Sequence, residues 1–213
     1  PLWNRGQCGA MSALIQKLKR PLVRAAAAFT GPRMVYGWGN PDGSWCASTR
    51  VSTHTCLEGL EGLVLQDHVF VGHFNRLDGS NGLLIEEGVQ VTNYVSILSH
   101  SSHRSVRVMG RRYLGDPQPV GYIRKATRVG AYSFIGPHSV VEAGSRIGKG
   151  VVVCAHSRVR GEVPDFAIVA GSPARAIGDV RAKDAQLLGQ HPELAPHYTA
   201  WAGELPRTEP GHG

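Results

Sequence analysis

The sequence has little of what marks membrane proteins, disulfide-rich proteins and zinc proteins. No apolar run approaches the roughly 18 residues that a membrane span needs, and the alanine run at 25–28 is too short for a signal peptide. The cysteines, Cys8, Cys46, Cys56 and Cys154, show neither CxxC nor zinc spacing. We therefore expect reduced thiols, a cytoplasmic protein and no metal site.

Aromatic residues are also scarce, at 7% of the chain, whereas glycine is abundant at 27 residues. This balance favours a fold of thin, regular layers with many turns over one with a bulky aromatic core. The net charge of +7 favours an anionic partner such as a nucleic acid, a membrane surface or a phosphorylated small molecule, although solubility alone also explains it.

A period of six residues organises the second half of the chain. Every sixth residue from Val129 is a β-branched aliphatic: Val129, Ile135, Val141, Ile147, Val153 and Val159. Three upstream blocks repeat the period, with Val51, Leu57 and Leu63, then Leu65, Val71 and Leu77, then Ile85, Val91 and Ile97. Each block is offset from the next by two residues, which predicts small bulges at a corner. The pattern lapses between Ile97 and Val129.

Six residues fit neither an α-helix nor a simple strand alternation, but they fit a short strand followed by a tight turn. Three such units close a triangular coil, with parallel strands stacked on the coils above and below and one aliphatic per unit pointing inward. An open β-sandwich would space its turns less regularly. We therefore predict a coiled all-β fold whose inward positions include Ile135, Val141 and Ile147.

These repeats, together with the segment "VPDFAIVAGSPARAI" at 163–177, resemble the hexapeptide-repeat acyltransferases. The family's fold is the left-handed parallel β-helix, and the resemblance covers about residues 45–178. With the histidine segment described next, it points to the branch of galactoside, maltose and nodulation acetyltransferases and to O-acetyltransferases of surface polysaccharides. The resemblance implies acetyl-CoA as co-substrate, a homotrimer with shared sites, and no nucleic-acid partner.

The segment "HSSHRSVRVMG", residues 100–110, interrupts the repeats with two histidines and a basic stretch. In the resembled branch, the first histidine of such a loop is the catalytic base, which makes His100 the candidate base. His103 is the second candidate, with a direct role, an orienting role or simple solvation left open. A neutral imidazole suits this chemistry, because it can take the proton of a sugar hydroxyl that attacks a thioester.

The resemblance also implies further site residues. Asn75, Asp78 and Arg107 are the candidates for binding substrate, and Asp78 has the alternatives of holding the imidazole of His100 or making a corner hydrogen bond. By position, the candidate cofactor residues are Phe134, Gly136, Ala155, Arg160 and Arg175. The lapse at about 101–128 is predicted to be an extruded loop, whose cations Arg104, Arg107, Arg111, Arg112, Arg124 and Lys125 either attract phosphates or form a solvated face.

Three regions follow from this reading: an N-terminal leader and basic helix at 1–44, the acyltransferase domain at 45–178, and a C-terminal helix and tail at 179–213. The basic helix at 12–28 either docks on the trimer or contacts a membrane surface. We expect an O-acetyltransferase acting on a sugar hydroxyl. The alternatives are a non-catalytic β-helix scaffold and a hydratase like the gamma-class carbonic anhydrases, for which His73 alone is well placed and His68 lies in the wrong register.

Overall fold

The computed structural model describes residues 28–206. The chain divides into two compact units, Pro1–Arg33 and Met34–Gly213. In the first unit, residues 28–30 are helical, and the guanidinium of Arg33 lies 5.7 Å from the ring centroid of Phe29. The predicted basic helix at 12–28, apart from residue 28, and the end of the predicted tail lie outside the described residues.

The described part of the second unit, residues 34–206, contains twenty short strands. They are β1 (Met34–Gly39), β2 (Trp45–Ser52), β3 (Cys56–Glu58), β4 (Leu63–Leu65), β5 (Phe70–Val71), β6 (Arg76–Asp78), β7 (Leu83–Ile85), β8 (Gln90–Val91), β9 (Ser96–Ile97) and β10 (His100–Ser101). The others are β11 (Ile123–Arg124), β12 (Thr127–Val129), β13 (Phe134–Ile135), β14 (Val140–Val141), β15 (Arg146–Ile147), β16 (Val152–Val153), β17 (Arg158–Val159), β18 (Glu162–Val163), β19 (Ala167–Gly171) and β20 (Ala174–Asp179).

Among residues 34–206, the helices are few and short. They are α1 (Ser105–Met109), α2 (Arg181–Gln190) and α3 (Ala195–Ala202), with single 3₁₀ turns at Leu60–Gly62, Gly110–Tyr113 and Pro192–Leu194. The helix predicted after residue 178 is present as α2. The rings of Tyr132 and Trp201 stack at 4.8 Å, so α3 packs against the coiled part of the chain.

Strands of successive coils stack into three sheets, in the orders β1-β2-β5-β8-β13-β16-β19-β20, β3-β6-β9-β14-β17 and β4-β7-β12-β15-β18. All pairs within these stacks are parallel except β1–β2 and β19–β20, the antiparallel hairpins at the two ends of the first sheet. The predicted parallel β-helix is confirmed. The hairpins extend the first sheet by one antiparallel strand at each of its two ends.

The core is a column of aliphatic side chains inside the coil, as the six-residue period predicts. Ile135 and Val141 have no exposed surface and Ile147 is 2% exposed, so the predicted inward positions are confirmed. Serines fill the crowded corners beside them. The hydroxyl groups of Ser133 and Ser139 donate to backbone carbonyls of the next coil, which satisfies buried polar groups that would otherwise be costly.

The two-residue offsets all fall at one corner, between the second and third sheets. Arg76 pairs with Ser96, twenty positions further along, whereas Arg128 pairs with Arg146, eighteen positions further along. The early coils therefore carry two extra residues each. We call this corner, comprising residues 59–62, 79–82, 98–126 and 142–145, the loop corner, because the interrupting segment leaves the coil there.

A second corner, between the first and second sheets, carries a column of rings on its outside, in which the first pair meets edge to face and the others are stacked. Neighbouring rings in the column have centroids 4.8 to 5.7 Å apart. Its members are His54, Phe74, Tyr94, His138 and His156. The last four have left-handed backbone conformations, which cost a non-glycine residue roughly 1–2 kcal/mol, and ring stacking of about 0.5–1.5 kcal/mol per pair offsets this strain.

Candidate active site

The interrupting segment leaves and rejoins the coil through a small ladder of its own. Strands β10 and β11 pair antiparallel, with His100 opposite Arg124 and Ser101 opposite Ile123. Between them the chain forms α1 and the following 3₁₀ turn, so the predicted loop carries local structure. The ladder fixes the backbone of His100 at the point where the loop begins, directly after the core strand β9.

The imidazole of His100 lies against a buried carboxylate from the coil beneath it. Its Nδ1 atom is 2.6 Å from Oδ2 of Asp78, a close contact whose angle is not that of a hydrogen bond, so Nδ1 is buried without a hydrogen-bond partner. The Asp78 side chain has no exposed surface, whereas that of His100 is 26% exposed. Because Nδ1 itself is buried, the edge of the ring that reaches solvent is the one away from Asp78.

Asp78 is held in its ionised form by the residues around it. Burial alone raises the pKa of this carboxyl, but hydrogen bonds from Ser80 and Ser99 outweigh burial and hold the pKa well below its usual range. The backbone N–H of Ser80 donates to Oδ1 at 3.0 Å. The backbone N–H and the hydroxyl of Ser99 each donate to Oδ2 at 2.9 Å. The result is a negative charge fixed beneath His100.

The groups of Ser80 and Ser99 that donate to Asp78 form a cradle around its carboxylate. This cradle depends on the extra residues of the loop corner. Asp78 ends strand β6, and Ser80 and Asn81 belong to the extended turn that follows it. The backbone N–H of Asn81 donates to the hydroxyl of Ser99 at 3.0 Å, which aims that hydroxyl at Asp78. The offset in the sequence pattern therefore marks the place where one coil presents a carboxylate to the next.

The face of the imidazole is covered by a tyrosine from the returning arm of the loop. The rings of His100 and Tyr122 lie 5.7 Å apart and within 12° of parallel. Tyr113 stacks on Tyr122 at 6.4 Å, and the guanidinium of Arg124 lies 4.5 Å from the centroid of Tyr122. Burial, with the nearby Tyr113, raises the pKa of Tyr122, so its ring is uncharged at neutral pH.

His100 opens onto a cleft of about 660 Å³, a size typical of small-molecule sites. Its lining includes five cationic side chains, Arg104, Arg124, Lys125, Arg158 and Arg160, and one anionic side chain, Glu142. Glu142 forms ion pairs with Arg158 and, at 3.7 Å, with Arg160. The remaining cations give the cleft a positive character that suits phosphate or carboxylate groups.

The structure brings only some of the predicted site residues to this cleft. His103 lines it and lies 2.7 Å, Nδ1 to Oγ, from the hydroxyl of Ser101. Arg160 also lines it. Arg107 lies on α1 with an exposed side chain and is not among the lining residues.

Asn75 is 3% exposed, and its amide is occupied by backbone groups. It donates to the carbonyls of Gly72 and Thr92, and its carbonyl oxygen accepts from the N–H of Val95. The structure therefore places Asn75 inside a corner of the coil, where its hydrogen bonds hold two coils together, and not in the cleft.

The other predicted cofactor residues lie away from the lining of the His100 cleft. Phe134 is 42% exposed on strand β13 of the first sheet, and Arg175 lies exposed on the terminal strand β20. A Cβ atom on Gly136 would stand 2.6 Å from the backbone nitrogen of Ala155. The small size of Gly136 is therefore required by the close packing of neighbouring coils.

The residues considered for a metal site, His73 and Asp78, each contact other groups and do not share a common site. Nδ1 of His73 lies 2.7 Å from the hydroxyl of Ser52, and Asp78 is committed to the cradle beneath His100. Among residues 28–206, no three His, Cys, Asp or Glu side chains form a group that could hold a metal ion. Within the same residues, no helix is both long enough and apolar enough to span a membrane.

The comparisons with known proteins agree with this architecture. Residues 126–161 match the family described as bacterial transferase hexapeptide (six repeats). The match covers 36 of the 213 residues of the chain. The matched residues comprise strands β12 to β17, the region of regular eighteen-residue coils that follows the loop.

Two of the curated relatives of this chain carry acetyltransferase names. "Probable acetyltransferase Rv3034c" of Mycobacterium tuberculosis is 35% identical, over 35% of this chain and 25% of that protein. WbbJ of Escherichia coli K12, named for lipopolysaccharide biosynthesis O-acetyl transfer, is 30% identical, over 48% of this chain and 64% of that protein. The chain thus spans between a quarter and about two thirds of the length of these relatives.

A solved structure shares the fold of this chain. It is the N-acyltransferase AntD from Bacillus cereus, in complex with dTDP and 3-hydroxybutyryl-CoA. The TM-score is 0.53 at 16% identity, and the match covers 68% of this chain and 87% of AntD. At this identity the likeness concerns the fold alone.

Proposed function

We propose that this protein is an acetyl-CoA-dependent O-acetyltransferase that acts on a sugar hydroxyl, with His100 as general base. The observation that carries the proposal is the imidazole of His100, whose Nδ1 lies 2.6 Å from the buried carboxylate of Asp78 at the opening of a cationic cleft. A scaffold has no need of such a pair, because a buried charge is costly unless it is paired and hydrogen-bonded.

The proposed reaction is a direct transfer. Asp78 holds the proton on Nδ1 of His100, so that Nε2 is the free base. Nε2 takes the proton of the acceptor hydroxyl as its oxygen attacks the thioester carbonyl of acetyl-CoA. The tetrahedral intermediate then breaks its carbon–sulfur bond, and the imidazolium returns the proton to the leaving thiolate. The products are the O-acetyl sugar and CoA, and no cysteine takes part.

The cleft supports acetyl-CoA as the co-substrate. CoA carries several phosphate groups, and exposed cations such as Arg104 and Lys125 line the cleft beside His100. Guanidinium and ammonium groups at partly exposed positions bind phosphate without first losing a strong internal partner. A thioester is already activated, so the proposed transfer needs no metal.

The acceptor class and the assembly are further parts of the proposal. The similarity to WbbJ supports a glycan acceptor of the surface-polysaccharide class, and the resemblance to galactoside-type acetyltransferases supports a cytoplasmic homotrimer. Light scattering tests the assembly, because a trimer of 22.9 kDa chains has three times the mass of a monomer. A monomer at assay concentration would contradict this part of the proposal.

Turnover of acetyl-CoA tests the activity. Release of free thiol is followed with a panel of mono- and oligosaccharide acceptors, together with amino-sugar and serine acceptors as competing classes. We expect acceptor-dependent thiol release with at least one hydroxyl sugar and the appearance of an O-acetyl ester by mass spectrometry. Thiol release only with amine acceptors would overturn the O-acetyl assignment, and none with any acceptor would count against the whole proposal.

A further inference from the structure

The ring of Tyr122 stacks on the imidazole of His100. Neither the six-residue repeats nor the proposed reaction requires this contact. Tyr122 precedes β11, the strand that pairs with the strand of His100, and its ring covers a face of the imidazole at 5.7 Å and 12°. This is the geometry of offset ring stacking. The contact joins the two ends of the extruded loop at the reacting side chain.

Several other contacts fix Tyr122 in turn. Its ring has Tyr113 parallel to it at 6.4 Å and the guanidinium of Arg124 at 4.5 Å. Arg124 also donates from Nη2 to the carbonyl of Pro117 at 3.3 Å. The rings of His100, Tyr122 and Tyr113 are therefore close to parallel, and the two tyrosines both come from the loop.

The carboxylate of Asp78 alone does not determine the orientation of the imidazole. Rotation of the ring about its bond to Cβ would carry Nδ1 away from Asp78 and present a carbon edge to the carboxylate. A flat ring stacked on the imidazole opposes that rotation, because turning the imidazole out of the plane gives up the stacked contact. An imidazole that keeps Nδ1 on Asp78 keeps Nε2 on the exposed edge.

We infer that Tyr122 is a positioning residue, whose stacked ring locks the imidazole of His100 with Nδ1 on Asp78 and Nε2 directed to the cleft. The inference rests on the proposed function only in assigning the catalytic role to His100. The orientation itself is a property of the folded chain. The extruded loop thus has a second role besides forming a wall of the cleft, which is to hold the reacting side chain.

Two variants distinguish the effect of the flat ring of Tyr122 from the effects of its hydroxyl group and of its side-chain volume. Tyr122→Phe keeps the stacked plane, whereas Tyr122→Leu keeps apolar volume without a plane. Tyr132→Ala is the matched control, because Tyr132 also stacks on an aromatic ring, that of Trp201, but lies outside the His100 cleft. Circular dichroism verifies the fold of each variant. If Tyr122→Leu is folded, Tyr122→Ala is added as a second variant that lacks the ring.

The first measurement is independent of activity. Nitrogen-15 NMR of histidine-labelled protein, with the His100 signal assigned by its loss in His100→Asn, reports which ring nitrogen carries the proton. We expect a single Nδ1–H tautomer in the wild type, Tyr122→Phe and Tyr132→Ala, and a mixture of tautomers in Tyr122→Leu. An unchanged single tautomer in Tyr122→Leu would overturn the inference even if the enzyme proved to catalyse another reaction.

The second measurement uses acetyl-CoA and the best acceptor sugar. Loss of the stack is expected to lower kcat about tenfold in Tyr122→Leu, with the KM for acetyl-CoA unchanged, and Tyr122→Phe restores turnover. A rise in KM with unchanged kcat would show a binding role and refute positioning. If no acceptor is turned over at all, the proposed function fails, while the NMR measurement still decides the role of Tyr122.

Discussion

Nδ1 of His100 lies 2.6 Å from Oδ2 of Asp78, although the two residues come from successive coils of the β-helix. The parallel stack brings them together, because strand β6 with Asp78 at its end pairs in register with strand β9, which precedes His100. Residues far apart in a sequence thus become neighbours at a fixed offset of one coil.

The first prediction concerns the two histidines. His100→Ala is expected to lower kcat by about 10²–10⁴, the range for loss of a general base, without a large change in stability, since the ring is partly exposed and outside the aliphatic core. His103→Ala is expected to retain most of the turnover. Steady-state kinetics with acetyl-CoA compares the two variants. The reverse ranking would show that His103 is the base.

The second prediction concerns the pH dependence of stability. The pKa of Asp78 in the folded protein is lowered, so between that value and the unfolded value near 3.9 the unfolded state binds more protons. The stabilisation by Asp78 is therefore complete above about pH 4 and is lost as the pH falls further. Asp78→Asn should be less stable than the wild type near neutrality, and the difference should shrink in acid.

Urea denaturation of both proteins at a series of pH values from 7 to 3 measures this difference. A gap between wild type and Asp78→Asn that stayed constant over the whole range would contradict an ionised Asp78 in the folded state. The same variant removes the fixed charge beneath His100, and we expect its kcat to fall at least tenfold.

The third prediction separates two locations for the cofactor. Arg160 lines the His100 cleft, whereas Arg175 lies on the terminal strand β20. Arg160→Ala is expected to raise the KM for acetyl-CoA about two- to fivefold, the modest effect of an exposed ionic contact, and the effect should shrink at high salt. Arg175→Ala is expected to leave KM unchanged. If only Arg175→Ala raised the KM for acetyl-CoA, the cofactor would have to bind along the first sheet and not in the His100 cleft.

The fourth prediction tests the core. Ile135 is fully buried inside the coil, so Ile135→Ala is expected to cost about 2–5 kcal/mol of unfolding free energy. Val152 is half-buried on the adjacent strand of the same sheet, and Val152→Ala should cost less than about 1 kcal/mol. Chemical denaturation measures both. Equal losses would mean that the inward and outward positions have been confused.

The sequence was sufficient to predict the coil, because its core repeats one physical requirement every six residues. An aliphatic side chain at Ile135, Val141 or Ile147 has no other place to be buried. The sequence also predicted that the loop begins at His100. The two-residue offset was visible as well, but its purpose was not, since only the stacked coils bring Asp78 and Ser99 together.

The contacts of the loop could not be predicted in the same way. Tyr122 reaches His100 because β10 and β11 pair antiparallel, and no periodicity marks that pairing. The first strand, β1, was also missed within the predicted leader at 1–44. It belongs to a hairpin at the end of the first sheet, and a single hairpin has no repeat from which to detect it. Asn75 and Gly136 carry residue types typical of binding sites, but their packing explains them.

The position of the extruded loop has a consequence for how such a protein can change over evolutionary time. The loop leaves and rejoins the chain at one corner, and its ends are tied together by the pairing of His100 with Arg124. The core strands before and after it, β9 and β12, stack on the coils above and below with no help from the loop. Mutation can therefore change the length and sequence of the loop between β10 and β11 while the inherited scaffold continues to fold.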